Sequence, residues 1–98
     1  MKFFSQYGTW NCRVVFEKYA AGGTAIRLVD EETFEPVAMA TVWVEGLLDG
    51  EVAIKDYSEN EGMYDSLLKA GVIKKAHRQL ASGYVVLPVC KLAKDSHN

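Results

Sequence analysis

Lys55-Asp56-Tyr57-Ser58-Glu59-Asn60-Glu61-Gly62-Met63-Tyr64-Asp65-Ser66-Leu67-Leu68-Lys69-Ala70-Gly71-Val72 reads as a strand end, an acidic polar loop, a capped helix and a glycine stop. Ser58 and Glu61 have the spacing of a capping box, and Asn60 competes with Ser58 as N-cap. Met63, Leu67 and Ala70, with Tyr64 and Leu68, fall at helical intervals on one broad apolar face. Gly71 suits the left-handed position just past a helix. The expectation is a helix of about three turns. Alone in water it is marginal, so it must lie on a sheet.

Everything around this helix reads as strand. Before it, residues 51–56 place Val52 and Ile54 on one side of a short strand, and Leu47-Leu48-Asp49-Gly50 is a loop with a good turn dipeptide. Residues 37–44 are apolar at nearly every position and rich in β-branched side chains, with Trp43 among them. That predicts a central strand covered on both faces, ended by Gly46. Residues 30–36 are a polar hairpin loop, with Pro36 at a strand entry where its missing N–H does no harm.

Residues 11–19 and 24–30 alternate on either side of the turn Ala20-Ala21-Gly22-Gly23, with Cys12, Val14 and Phe16 sharing one face and Ile26 and Leu28 pointing inward. Residues 1–7 are a further short strand, followed by a turn at Gly8-Thr9. After the helix, residues 72–80 are mixed, Ala81-Ser82-Gly83 is a turn, and 84–92 is a strand whose Pro88 indicates an edge or a bulge. Residues 94–98 read as a polar fray.

The reading is one α+β domain over residues 1–98: a mostly antiparallel sheet of five or six strands with one helix packed on it. Its expected core is Val14, Phe16, Ile26, Leu28, Met39, Val42, Val44, Ile54, Leu67, Leu68, Val85 and Leu87.

The chain has 98 residues, enough for one modest core. No apolar run approaches the roughly 20 residues needed to span a bilayer. Met1-Lys2-Phe3-Phe4-Ser5-Gln6-Tyr7 is too short for a signal-peptide core, so the expected location is intracellular, in the cytoplasm. Cys12 and Cys90 lie far apart with no neighbour at metal-ligand spacing, which predicts buried, reduced thiols in strands. The net charge of −2 removes the usual electrostatic case for binding nucleic acid. Acids nonetheless dominate residues 30–65, and bases dominate the last third.

The loop supplies the first candidate site: Asp56, Tyr57, Glu59, Asn60 and Glu61 as a partner-binding surface. Asp56, Ser58 and Asn60 alternate as calcium ligands do, but the twelfth position of such a loop is Leu67, which cannot ligate. Capping and solvation account for these acids better than a metal does, and no cofactor is expected. Spaced carboxylates can also imitate phosphates and occupy a nucleic-acid channel on another protein.

His77 lies between Lys75 and Arg78 with no partner that the sequence names, so no catalytic set can be assigned and an enzyme is not expected. Gly22-Gly23 lacks the spacing of a phosphate cradle. Tyr64, Lys74, Arg78 and Tyr84 are the candidate lining of a pocket for a small molecule or nucleotide. A homodimer stays open.

Lys18-Tyr19, Ala25-Ile26 with Leu28-Val29-Asp30, Glu35-Pro36, Ala40-Thr41-Val42, the run from Ile54 to Met63, Gly83-Tyr84-Val85-Val86 and Pro88-Val89-Cys90 together cover most of the chain. Their order resembles a family of small uncharacterised proteins carried by bacteriophages and mobile elements. The family has no activity to carry over. The resemblance implies a genomic setting in which small accessory proteins are often inhibitors of host defence. The expected function is therefore a non-enzymatic accessory protein that binds and inhibits a host defence protein, in the manner of an anti-CRISPR factor. The alternative is a protein that binds or sequesters a small molecule or nucleotide.

Overall fold

The computed structural model describes residues 1–93. The first strands form where alternation and turn residues agree. β1 (Lys2–Ser5) and β2 (Gly8–Lys18) pair antiparallel, with Phe3 opposite Trp10. β3 (Thr24–Asp30) returns along β2 after the glycine turn, setting Val14 opposite Leu28 and Phe16 opposite Ile26. β4 (Pro36–Met39) completes a four-stranded sheet in the order β1-β2-β3-β4. Pro36 opens β4, the entry position expected for it.

A second four-stranded sheet follows, built from β5 (Thr41–Val42), β6 (Glu51–Ile54), β7 (Arg78–Ser82) and β8 (Val85–Lys91) in the order β5-β6-β8-β7. All pairings in both sheets are antiparallel, and the one α-helix among the described residues, α1 (Met63–Lys69), lies between β6 and β7 in sequence. The class is α+β as the sequence predicts, but the strands divide into two sheets of four and do not form one of five or six.

The division happens at Ala40. Its N–H donates to the Ile26 carbonyl at 2.8 Å, and its own carbonyl accepts from the Lys55 N–H at 2.8 Å. One residue thus hands the chain from the first sheet to the second. Thr41 reinforces the junction, because its Oγ1 accepts the Ile26 N–H at 3.1 Å and bonds the Tyr19 hydroxyl at 2.7 Å. The apolar run 37–44 is therefore two short strands and the start of a loop. The strand buried at every position is β6. Local pattern could not separate these cases, since a fully apolar run is equally suited to a central strand and to a strand that changes sheets.

The helix is shorter than expected, with seven residues. Neither Ser58 nor Asn60 caps it; residues 58–60 form a turn of 3₁₀ helix instead. The N-cap is Gly62, at φ 102°. Asp56 reaches in from outside, its Oδ1 accepting the N–H groups of Gly62 at 3.1 Å and Tyr64 at 2.9 Å. At the other end Gly71 has φ 73°, its N–H donates to Leu68 and the Val72 N–H donates to Leu67, a Schellman closure. The Ser66 hydroxyl accepts the Phe4 N–H at 3.0 Å and ties the helix to β1.

Ile26, Leu28, Ile54, Leu67 and Leu87 are buried as expected. Val14, Phe16, Met39, Val42, Val44, Leu68 and Val85 are half-buried. The core is completed by Phe3, Cys12, Ala40, Val52, Met63, Ile73, Val89 and Cys90. Each large side chain buried in this way stabilises the fold by roughly 1.5–3 kcal/mol. Cys12 and Cys90 are free, buried thiols in β2 and β8.

The first turn falls at Gln6-Tyr7, two residues before the expected Gly8-Thr9. The last turn includes Tyr84, which the sequence placed in the strand. Pro88 is in an inner strand, but the β6 ladder covers only Val89–Lys91 and stops at the residue after it. Among the described residues no helix is long and apolar enough to cross a membrane. The expected fray at 94–98 lies outside the described residues.

Candidate functional site

Glu51 opens β6, and the residue is only 5% exposed. A carboxylate so placed needs donors to replace its lost hydration. The Arg78 guanidinium supplies two, Nε to Oε2 at 3.0 Å and Nη2 to Oε1 at 2.6 Å. His77 Nε2 lies 2.5 Å from Oε2, and the Leu48 N–H donates to Oε1 at 2.9 Å. Arg78, then His77, then the Leu48 amide hold the Glu51 carboxyl well below the usual carboxylate range. The same contact pushes the Arg78 guanidinium up.

This cluster closes the loop 43–50 between β5 and β6. Arg78 Nη2 donates to the Gly46 carbonyl at 2.7 Å, and the Glu51 N–H donates to the Leu48 carbonyl at 3.0 Å. Gly46 lies close to the Leu80 side chain of β7. The loop is thus held by a bidentate charged pair at its foot. It presents Trp43, 51% exposed, and Leu48, 68% exposed. Glu45 and Asp49 on the same loop are exposed as well.

Trp43 and Leu48 line a cleft of about 330 Å³ together with Tyr19, Gly22 and Gly23 of the β2–β3 turn. A larger cleft, of about 580 Å³, adjoins it and shares Thr24, Asp49 and Gly50.

Sequence reasoning missed this site because its members are distant. His77 and Arg78 stand 26 and 27 residues from Glu51. The local signal was an acid at the head of an apolar strand, Glu51-Val52-Ala53-Ile54. His77, left without a partner by the sequence, has one in Glu51. No Ser, Thr or Cys side chain hydrogen-bonds to it among the described residues.

The acidic loop 56–61 is split between two tasks. Asp56 caps the helix. Asn60 was expected to be partly exposed, but it is 3% exposed, and its Nδ2 donates to the Met39 carbonyl at 2.6 Å. It is a buried tie between the loop and β4. Glu59 is exposed and pairs with Lys55 at 2.7 Å, which holds its carboxyl down at about 2. The Lys55 ammonium also lies over the half-buried Tyr57 ring, 5.8 Å from its centroid. Glu61 is exposed. Of the five expected contact residues, Glu59 and Glu61 are exposed, Asp56 and Tyr57 are half-buried, and Asn60 is buried.

The expected pocket of Tyr64, Lys74, Arg78 and Tyr84 does not assemble. The Tyr64 hydroxyl accepts the Ala76 N–H at 2.9 Å, Lys74 is exposed, and Arg78 is held by Glu51. Tyr84 lies fully exposed at the far end of β7 from Arg78. Among the described residues no three His, Cys, Asp or Glu side chains gather in a metal-holding group. No protein-family model, curated protein or solved structure matches the chain.

Proposed function

We propose that this chain is a binding protein whose contact surface is the loop 43–50, and that its partner is a protein of a bacterial host which it inhibits, in the manner of an anti-CRISPR factor. The observation that carries the binding role is the exposure of Trp43 and Leu48 on a loop pinned by the buried Glu51–Arg78 pair. Trp43 and Leu48 line one cleft and so form a shared apolar patch, and Trp is enriched where binding energy concentrates. A loop fixed before contact loses little conformational entropy on binding.

Glu45 and Asp49 set negative charge beside the two apolar anchors, which suits a basic partner surface such as a nucleic-acid channel. The bacterial setting and the inhibitory role rest on the resemblance to phage and mobile-element proteins.

The test is phage plating on defence-positive bacteria. Cells expressing the wild type should lose protection, and cells expressing the double variant Trp43→Ala, Leu48→Ala should keep it while the variant stays folded. A double variant as potent as the wild type removes the loop from the proposal. A wild type without effect removes the inhibitory role. A second reading, small-molecule binding, is favoured by the larger cleft.

A further inference from the structure

The larger cleft lies in the seam between the two sheets. Its apolar surface comes from Phe16 of β2 and Leu92 just after β8, both half-buried. Its rim carries Glu17, Lys18, Asp49 and Lys91. These charges are not equivalent. Glu17 is held in an ion pair with Arg27 at 3.0 Å, so its charge is already matched. Lys18 and Lys91 come from different sheets, are exposed, and have no ion-pair partner among the described residues. Asp49 alone opposes them on that rim. The result is an apolar floor under a rim with surplus positive charge. The volume of about 580 Å³ falls within the usual size of small-ligand sites.

We propose that this cleft binds an amphipathic monoanion. An acyl chain or aromatic ring lies on Phe16 and Leu92, and its carboxylate is met by the ammonium groups of Lys18 and Lys91. The proposal rests on the small-molecule reading and names its ligand class. It does not depend on Trp43 or on a protein partner.

The experiment is a set of amide NMR titrations with octanoate, octanol and octylamine, probes of one chain length and three charges. Octanoate should shift the amides of Phe16, Lys18, Lys91 and Leu92 most strongly. The double variant Lys18→Ala, Lys91→Ala removes only exposed side chains and should fold. It should weaken octanoate by about tenfold and leave octanol unchanged. Octanol binding as well as octanoate, or octylamine binding better, overturns the anionic class while keeping a ligand site. No shift with any of the three overturns the site itself.

Discussion

A carboxylate taken out of water at the head of a strand is tolerated only when donors surround it, and Glu51 has them in Arg78, His77 and Leu48. Replacing it by the nearly isosteric Gln leaves Arg78 without its counter-charge. Glu51→Gln should lower stability, read as a lower urea midpoint at neutral pH. The pH dependence has a definite sign. The folded-state carboxyl titrates below its ordinary value of 4.5, so its contribution is complete above that value and is lost as pH falls through the folded value. The stability gap between wild type and Glu51→Gln should narrow as the pH falls below 4.5 toward the folded-state value. A gap that persists unchanged in strong acid contradicts the pairing.

The cysteines give an independent residue-level check. Burial pushes the Cys90 thiol up to about 11 and raises Cys12 as well. Neither should react with a thiol reagent at neutral pH in the native protein, and both should react in denaturant. Reaction of either at the rate of a free thiol contradicts the buried placement.

At the scale of elements, α1 is too short to stand alone and depends on its ends. Gly62 is held at positive φ against the Phe4 carbonyl, which a Cβ would strike. Gly62→Ala must both adopt a left-handed backbone and displace β1, at a cost of roughly 2–4 kcal/mol. Asp56→Ala removes only the cap acceptor and should cost about 1 kcal/mol. Thermal melts should rank the two in that order. Equal melting temperatures for Gly62→Ala and wild type would show that the helix does not dock as described.

The same elements show what the sequence could reveal. The β2–β3 hairpin, the Asp-Gly turn before β6 and the Gly71 stop were legible because each rests on neighbours in the chain. The cap was misassigned, because Ser58 and Asn60 could each have served and only the approach of β1 selects Gly62 with Asp56. The change of sheet at Ala40 was hidden, since it depends on bonds to Ile26 and Lys55 and leaves no local mark. The Glu51 site was hidden for the same reason. Asp56 and Asn60 were read as contact residues although one caps the helix and the other is buried, because capping and binding draw on the same residue types.

At the scale of the whole molecule, the two sheets and the helix share one apolar cluster, which runs from Phe3 and Ile26 through Ala40 to Ile54, Leu67 and Cys90. What remains outside it is uneven. The loop 43–50 carries apolar anchors on a fixed backbone, whereas the acidic loop 56–61 turns Asp56 and Asn60 inward and leaves Glu59 and Glu61 as solvated charges. Charged groups on a rim alter association rate more than affinity, and a buried-on-contact Trp alters affinity. The two surfaces therefore make different predictions for one partner.

Under the proposed function, the most direct measurement is the affinity of one host protein, captured by the wild type, for three forms of equal melting temperature. These are the wild type, Trp43→Ala with Leu48→Ala, and Glu59→Lys with Glu61→Lys. The loop variant should bind roughly a hundredfold more weakly, while the charge-reversed variant stays within about threefold. Undiminished binding by the loop variant, with binding lost in the charge-reversed one, contradicts the account and returns the contact surface to the acidic loop.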